Sequence, residues 1–123
     1  MKNRLILSVP IIILLINCTP PYEAQKPGYK LYLTRTIKHH TKLSLRQENN
    51  SAFDIDINNL SKDVIVLKKP NAEDLPVADN RVSSRIDANT SVELINTSKT
   101  DIRLAIKVYN HTSKIIENID EIK

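Results

Sequence analysis

The stretch "DIRLAIKVY", residues 101–109, decides the fold class. Ile102, Leu104, Ile106 and Val108 fall on one side of an extended chain, and Arg103, Ala105, Lys107 and Tyr109 on the other. Side chains alternate across a strand but recur every 3.6 residues on a helix, so this spacing predicts a strand with one buried face. The same alternation continues outward along the chain. "YKLYLTRTI" (29–37) sets Tyr29, Leu31 and Leu33 against Lys30, Tyr32 and Thr34, and "TKLSLRQ" (41–47) puts Leu43 and Leu45 on one face. "AFDIDIN" (52–58) turns Phe53, Ile55 and Ile57 inward and Asp54, Asp56 and Asn58 outward, and "SVELIN" (91–96) is a further strand. "KDVIVLKK" (62–69) is apolar on both faces from Val64 to Leu67, which predicts a central or doubly covered strand.

Turn chemistry separates these runs: "QENNS", "NNLSKD", "KKPNAEDLPVADN", "IDANT", "NTSKTD" and "NHTS". About seven short strands at such spacing predict an all-β fold, a small antiparallel β-sandwich of immunoglobulin-like or transthyretin-like topology. The C-terminal "HTSKIIENIDEIK" reads as a strand over 113–118. Its alternative is a short helix, because Ile115, Ile119 and Ile122 stand at i, i+4 and i+7 behind Ser113 as a cap.

The N-terminus has a different character. Lys2 and Arg4 precede an apolar run, residues 5–16, broken only by Ser8 and Pro10. A membrane-spanning helix needs about 20 apolar residues, whereas this length suits the core of a secretory signal peptide over residues 1–17. It ends in Leu15-Ile16-Asn17-Cys18, which resembles the lipobox of bacterial lipoproteins. The resemblance implies cleavage after Asn17, a diacylglycerol thioether on Cys18, and an N-acyl chain on the new amino group. Asn17 stands where the family usually has Gly, Ala or Ser. Cys18 is the single cysteine of the chain, so no internal disulfide can use it. Each buried acyl CH₂ contributes about 0.8 kcal/mol, and two or more chains hold a protein in a membrane where one is marginal. No other cofactor is expected.

Residues 18–28, the lipidated cysteine and the stretch "TPPYEAQKPG", read as an extended tether of about 3.1 Å per residue, leaving 29–123 as a single domain. Lipid anchoring implies the bacterial cell envelope. By analogy with enteric bacteria, Thr19 in place of Asp after the cysteine favours the outer membrane, facing the periplasm.

Composition excludes several functions. Removing Lys2 and Arg4 lowers the formal charge from +4 to +2. With no zinc-finger spacing, no RNA-binding aromatic motif and a single Phe, a nucleic-acid partner is not expected. Lys26, Lys30, Arg35, Lys38, Lys42 and Arg46 face Glu23 alone in residues 19–47, while acids dominate 48–80. The basic segment reads as a solvated strand face, with anionic lipid headgroups as the functional alternative. One glycine, Gly28, leaves no material for phosphate loops or nucleophile elbows.

Side chains with chemical potential are sparse. His39 and His40 would point to opposite strand faces, and with distant His111 they are expected as exposed loop residues, not metal ligands. Asp54 and Asp56 lie about 7 Å apart on one face, a spacing compatible with acid–base work. Opposite Phe53, Ile55 and Ile57, however, they read as a solvated outer face. Asn59-Leu60-Ser61 and Asn110-His111-Thr112 read as turn residues. Tyr32 and Tyr109, on outward faces, are the candidate partner contacts.

No enzyme and no small-molecule substrate is expected. The expected function is a non-catalytic binding domain held to membrane lipid through Cys18. Its partner would be an envelope protein, in the layout of small secretion-system lipoproteins. The alternative is a monomeric inhibitor, exclusion or surface-binding lipoprotein.

Overall fold

The structure, a computed structural model, describes residues 30–122. The signal segment, Cys18 and the tether lie outside the described residues. Within them the chain is all β, with no helix: β1 Leu31–Ile37, β2 Thr41–Gln47, β3 Phe53–Asn59, β4 Ile65–Lys68, β5 Leu75–Val77, β6 Arg81–Ile86, β7 Val92–Asn96, β8 Ile102–Tyr109 and β9 Ile115–Glu121. They form two antiparallel sheets, one of four strands in the order β1-β8-β3-β6 and one of five in the order β9-β2-β7-β4-β5.

The alternation read from the sequence sets which faces meet. Phe53, Ile55 and Ile57 of β3 and Ile102, Leu104, Ile106 and Val108 of β8 are buried. They close on Leu43, Leu45, Val92, Leu94, Ile65 and Leu67 of the other sheet, which makes one hydrophobic core. At about 25 cal/mol per Å² of apolar surface removed from water, this layer is the main stabilising term.

Nine described strands replace the expected seven. The break "KKPNAEDLPVADN" contains β5, and "RVSSRI" is β6, whose inward positions are Val82, Ser84 and Ile86. β4 pairs with β7 and β5, but it is not doubly covered. Ile65 and Leu67 are buried, Val66 is half-buried and Val64 is exposed. The C-terminal segment is a strand, longer than 113–118 and without a helix. It pairs with β2 from Ile115↔Gln47 to Glu121↔Thr41, so ladder bonds override the helical spacing of its isoleucines.

Three buried carboxamides, each the last residue of its strand, fasten the loops. Asn59 Nδ2 donates to the carbonyls of Asp63 and Val77, while its Oδ1 accepts from the Ser61 amide. Asn96 repeats this, donating to the carbonyls of Ile37 and Thr100 and accepting from the Ser98 amide. Gln47 donates to the Ser51 and Ala52 carbonyls and accepts from the amides of Thr112 and Ser113. Ser113 therefore serves a loop, not a helix cap. With one glycine in the chain, the left-handed turn positions fall to Asn50, Asn71, Asn89, Asn110 and His40, with φ near 60°. Asparagine tolerates that region better than other non-glycine residues, which gives the abundance of Asn a structural use.

Candidate partner-binding face

The outer face of the four-stranded sheet gathers the side chains that could contact a partner. Register builds it in rows. Tyr32, Lys107, Asp56 and Ser83 lie opposite one another across β1, β8, β3 and β6, and Thr34, Ala105, Asn58 and Arg81 form the adjacent row. Ala105 is the one small residue between Arg103 and Lys107 on β8, and its missing bulk leaves a groove. The groove has a volume of about 330 Å³, floored by Ala105 and Asn58, with Tyr32 at one end and Arg81 at the other.

Asp56 organises the charge in this row. Its carboxylate accepts from Ser83 Oγ at 2.6 Å and Tyr109 Oη at 3.3 Å, and lies 3.1 Å from Lys107 Nζ. Burial alone would push the carboxyl's pKa up. The Ser83 and Lys107 hydrogen bonds, the Lys107 charge and the Tyr109 hydroxyl outweigh that and hold it below its ordinary value. Tyr109 moves the other way: desolvation and the Asp56 charge raise its phenol. Lys107 also stands 5.0 Å from the centre of the Tyr109 ring. In the next row Arg85 reaches Asp54 at 3.2 Å, and Asn110 donates to the same carboxylate at 2.6 Å.

Both acids are therefore committed to neighbours, which corrects the reading of a solvated pair. Asp56 is buried, 9% exposed, and Asp54 is half-buried. A carboxylate held below its ordinary pKa by three donors is a poor proton donor, so the pair does not have the arrangement of an acid–base couple.

The two tyrosines differ. Tyr32 is 70% exposed, the largest exposure among the exposed large apolar side chains of the described residues. Tyr109 is half-buried and tied to Asp56. His39 and His40 are exposed, with His39 Nδ1 3.6 Å from Asp101. His111 is buried, which overturns its expected place in an exposed loop, because the turn after β8 folds back under the Gln47 side chain. Among the described residues no group of three or more metal-ligating side chains converges.

Arg81 is the groove residue that the sequence reading missed, because β6 was not recognised. It is exposed, and among the described residues it makes no ion pair. Val82 and Ile86, four apart with Ser84 between, were the available signal. The groove as a whole offers an aromatic side chain and an uncommitted guanidinium, a pair suited to gripping an acidic side chain of another protein.

Set against protein-family models, curated proteins and solved structures, the chain matches none of them. The class it belongs to is the small all-β sandwich, and its function rests on its own residues.

Proposed function

We propose that the chain is a membrane-anchored bacterial lipoprotein whose sandwich domain binds an envelope protein, as a structural or assembly subunit of a larger complex such as a secretion system. The anchor rests on the lipobox-like Leu15-Ile16-Asn17-Cys18. The binding role rests on one observation: Tyr32 projects into solvent beside a groove that ends in the uncommitted Arg81. A fold stabilised by its core gains nothing from an exposed tyrosine, whereas interface centres are enriched in Tyr and Arg. β1 begins at Leu31, so an anchor at Cys18 would join the domain at the start of this strand.

Affinity purification of the full-length protein from detergent-solubilised native membranes tests both halves. A stoichiometric membrane assembly, lost with Cys18→Ala and weakened about 30-fold by Tyr32→Ala, is the expected result (a hot-spot side chain is worth about 2 kcal/mol). Recovery of a lone lipidated species would overturn the subunit reading in favour of a monomeric inhibitor, exclusion or surface-binding lipoprotein.

A further inference from the structure

We propose that the edge of β6, unpaired among the described residues, is a strand-addition site for an extended peptide segment whose alternate side chains are acidic. The inference rests on the reading of the domain as a partner-binding module, and adds the partner's backbone form and charge pattern.

The backbone of β6 is presented for pairing. Leu60 N donates to Arg103 O at 2.9 Å, which makes Leu60 and Arg103 a hydrogen-bonded pair of the β3–β8 ladder. Alternation in an antiparallel ladder then turns the backbone groups of Asn58, Asp56 and Asp54 toward β8, and those of Ile57, Ile55 and Phe53 toward β6. Their partners on β6 are Val82, Ser84 and Ile86, so the N–H and C=O groups of Arg81, Ser83 and Arg85 point to the open side. The Arg85 carbonyl confirms this direction, since Lys69 Nζ caps it from outside at 3.1 Å.

The other three sheet edges carry features that discourage an added strand. β5 is three residues long and contains Pro76. β1 turns Arg35 inward and β9 turns Glu117 inward, and these two side chains bond to each other. Short length, proline and inward charges are the usual protections of an edge. β6 has six residues, no proline and no inward charge. Leu75 of β5, at the margin of the facing sheet, is 41% exposed and Val82 of β6 is half-buried, so the apolar side chains of an added strand would have surface to cover.

The arginines select the occupant. Arg81, Ser83 and Arg85 line the outer side of the edge, and an incoming strand places every second residue against them. Opposite charges across strands stabilise and like charges destabilise. A second copy of β6, paired antiparallel about Ser83, would set Arg81 against Arg85 twice, which argues against self-pairing. An acidic, alternating segment of another protein meets Arg81, which makes no ion pair among the described residues, and Arg85, whose side chain stays 60% exposed while paired to Asp54.

The probe is a short synthetic peptide of alternating Glu and Val, with its Lys–Val counterpart and a Glu–Val peptide N-methylated on alternate residues as controls. Amide hydrogen exchange by NMR on the intact domain should show the Arg81, Ser83 and Arg85 amides slowed about tenfold or more by Glu–Val. The N-methylated peptide should not bind. Arg81→Glu, at an exposed and unpaired position, should weaken Glu–Val about tenfold and reverse the preference toward Lys–Val. Protection at β1 or β9 instead, no protection anywhere, binding by the N-methylated peptide, or a preference unchanged by Arg81→Glu would each overturn the proposal. Its failure, with the membrane assembly still captured, leaves the subunit reading standing on another surface. Failure of the capture, with the exchange result intact, does the reverse.

Discussion

The sandwich has two open sides, and they are finished differently. On one, β1 and β9 lie at the margins of opposite sheets, and Arg35 crosses the gap to Glu117 in a two-pronged ion pair, Nε to Oε1 at 2.7 Å and Nη2 to Oε2 at 2.9 Å. On the other, β6 and β5 are the margins of the two sheets, and among the described residues no ion pair joins them. β6 is instead held from its outer face, by Ser83 on Asp56 and Arg85 on Asp54. A bridge that spans both sheets fixes the spacing of its side and occupies the space a new strand would use. Bonds to the outer face secure β6 within its own sheet and leave its free edge accessible. On the proposal made above, the two sides serve different ends, closure on the first and reception on the second.

The largest test compares the core behind each side. Ile119, Leu43, Leu94, Leu67 and Leu75 form one row across the five-stranded sheet, exposed at its two ends, with Leu43 and Leu67 flanking Leu94. Leu43→Ala removes a buried side chain behind the bridged side, where β9 is pinned, and should cost about 4 kcal/mol in urea denaturation. Leu67→Ala, behind the unbridged side, should cost about 3 kcal/mol, because the short β5 can settle inward and shrink the cavity. Equal costs would mean that the bridge does not stiffen its side.

Acid should loosen the β6 side. The Asp56 carboxyl is held below its ordinary value, so the folded chain binds fewer protons there than the unfolded one and stability rises with pH. That contribution is complete above the ordinary carboxylate range and is lost as pH falls through the depressed folded value. Asp56→Asn should cost about 1.5 kcal/mol at neutral pH, on the scale of a charge-assisted hydrogen bond. The deficit should shrink toward zero in strong acid. A denaturation midpoint measured against pH gives the answer: a mutant curve parallel to wild type would show that Asp56 does not carry the dependence.

Breaking the bridge should cost less. Arg35 and Glu117 are 36% and 28% exposed, so solvent screens the pair, and Arg35→Leu or Glu117→Leu should each cost about 1 kcal/mol. The double variant should recover most of it, since an apolar pair of similar volume replaces an ion pair at little net cost. Faster hydrogen exchange along β9 in either single variant, absent from β6, would place the effect on the bridged side. A uniform change would erase the contrast.

How much of this was legible follows from what side-chain alternation can carry. β2, β3 and β8 alternate apolar with polar residues, and their inward apolar residues were readable before any fold was known; β1 breaks the pattern with inward Arg35 and β7 with outward Ile95. β6 was not, because Ser84 occupies an inward position and two arginines and Ser83 make "RVSSRI" look like turn. β5 is too short to show a period and begins beside turn-forming residues. On the outer face, Tyr32, Lys107, Tyr109, Asp54, Asp56 and Asn58 were legible as outward residues, whereas Arg81 and Ser83 were not. Burial of Asp56 depends on Lys107, Ser83 and Tyr109 arriving from two other strands, a fact of register that a linear pattern does not contain. His111 is likewise buried by the Gln47 contacts of its turn. Of the triplets read as turn residues, Asn110 does hold a turn, whereas Asn59 is the buried last residue of β3; its use in closing the loop that follows, shared with Asn96, emerges only when the hydrogen bonds are seen.

The smallest expected effect probes the receptive side most directly. Lys69 caps the Arg85 carbonyl from solvent, a neutral-acceptor contact at an exposed position, and Lys69→Ala should change stability by less than about 0.5 kcal/mol. Strand addition at β6, however, requires that carbonyl to exchange its lysine for a backbone N–H of the incoming segment. The uncapped variant should therefore bind the Glu–Val peptide more tightly than wild type, by about twofold, with an unchanged denaturation midpoint. The opposing term is electrostatic, because Lys69 also contributes positive charge near the edge, and its loss should weaken an acidic peptide at low ionic strength. Titrations at low and high salt separate the two, since screening removes the charge term and leaves the cap. A gain in affinity that persists at high salt would identify the lysine as a cover for the edge, whereas a loss confined to low salt would make it part of the attraction.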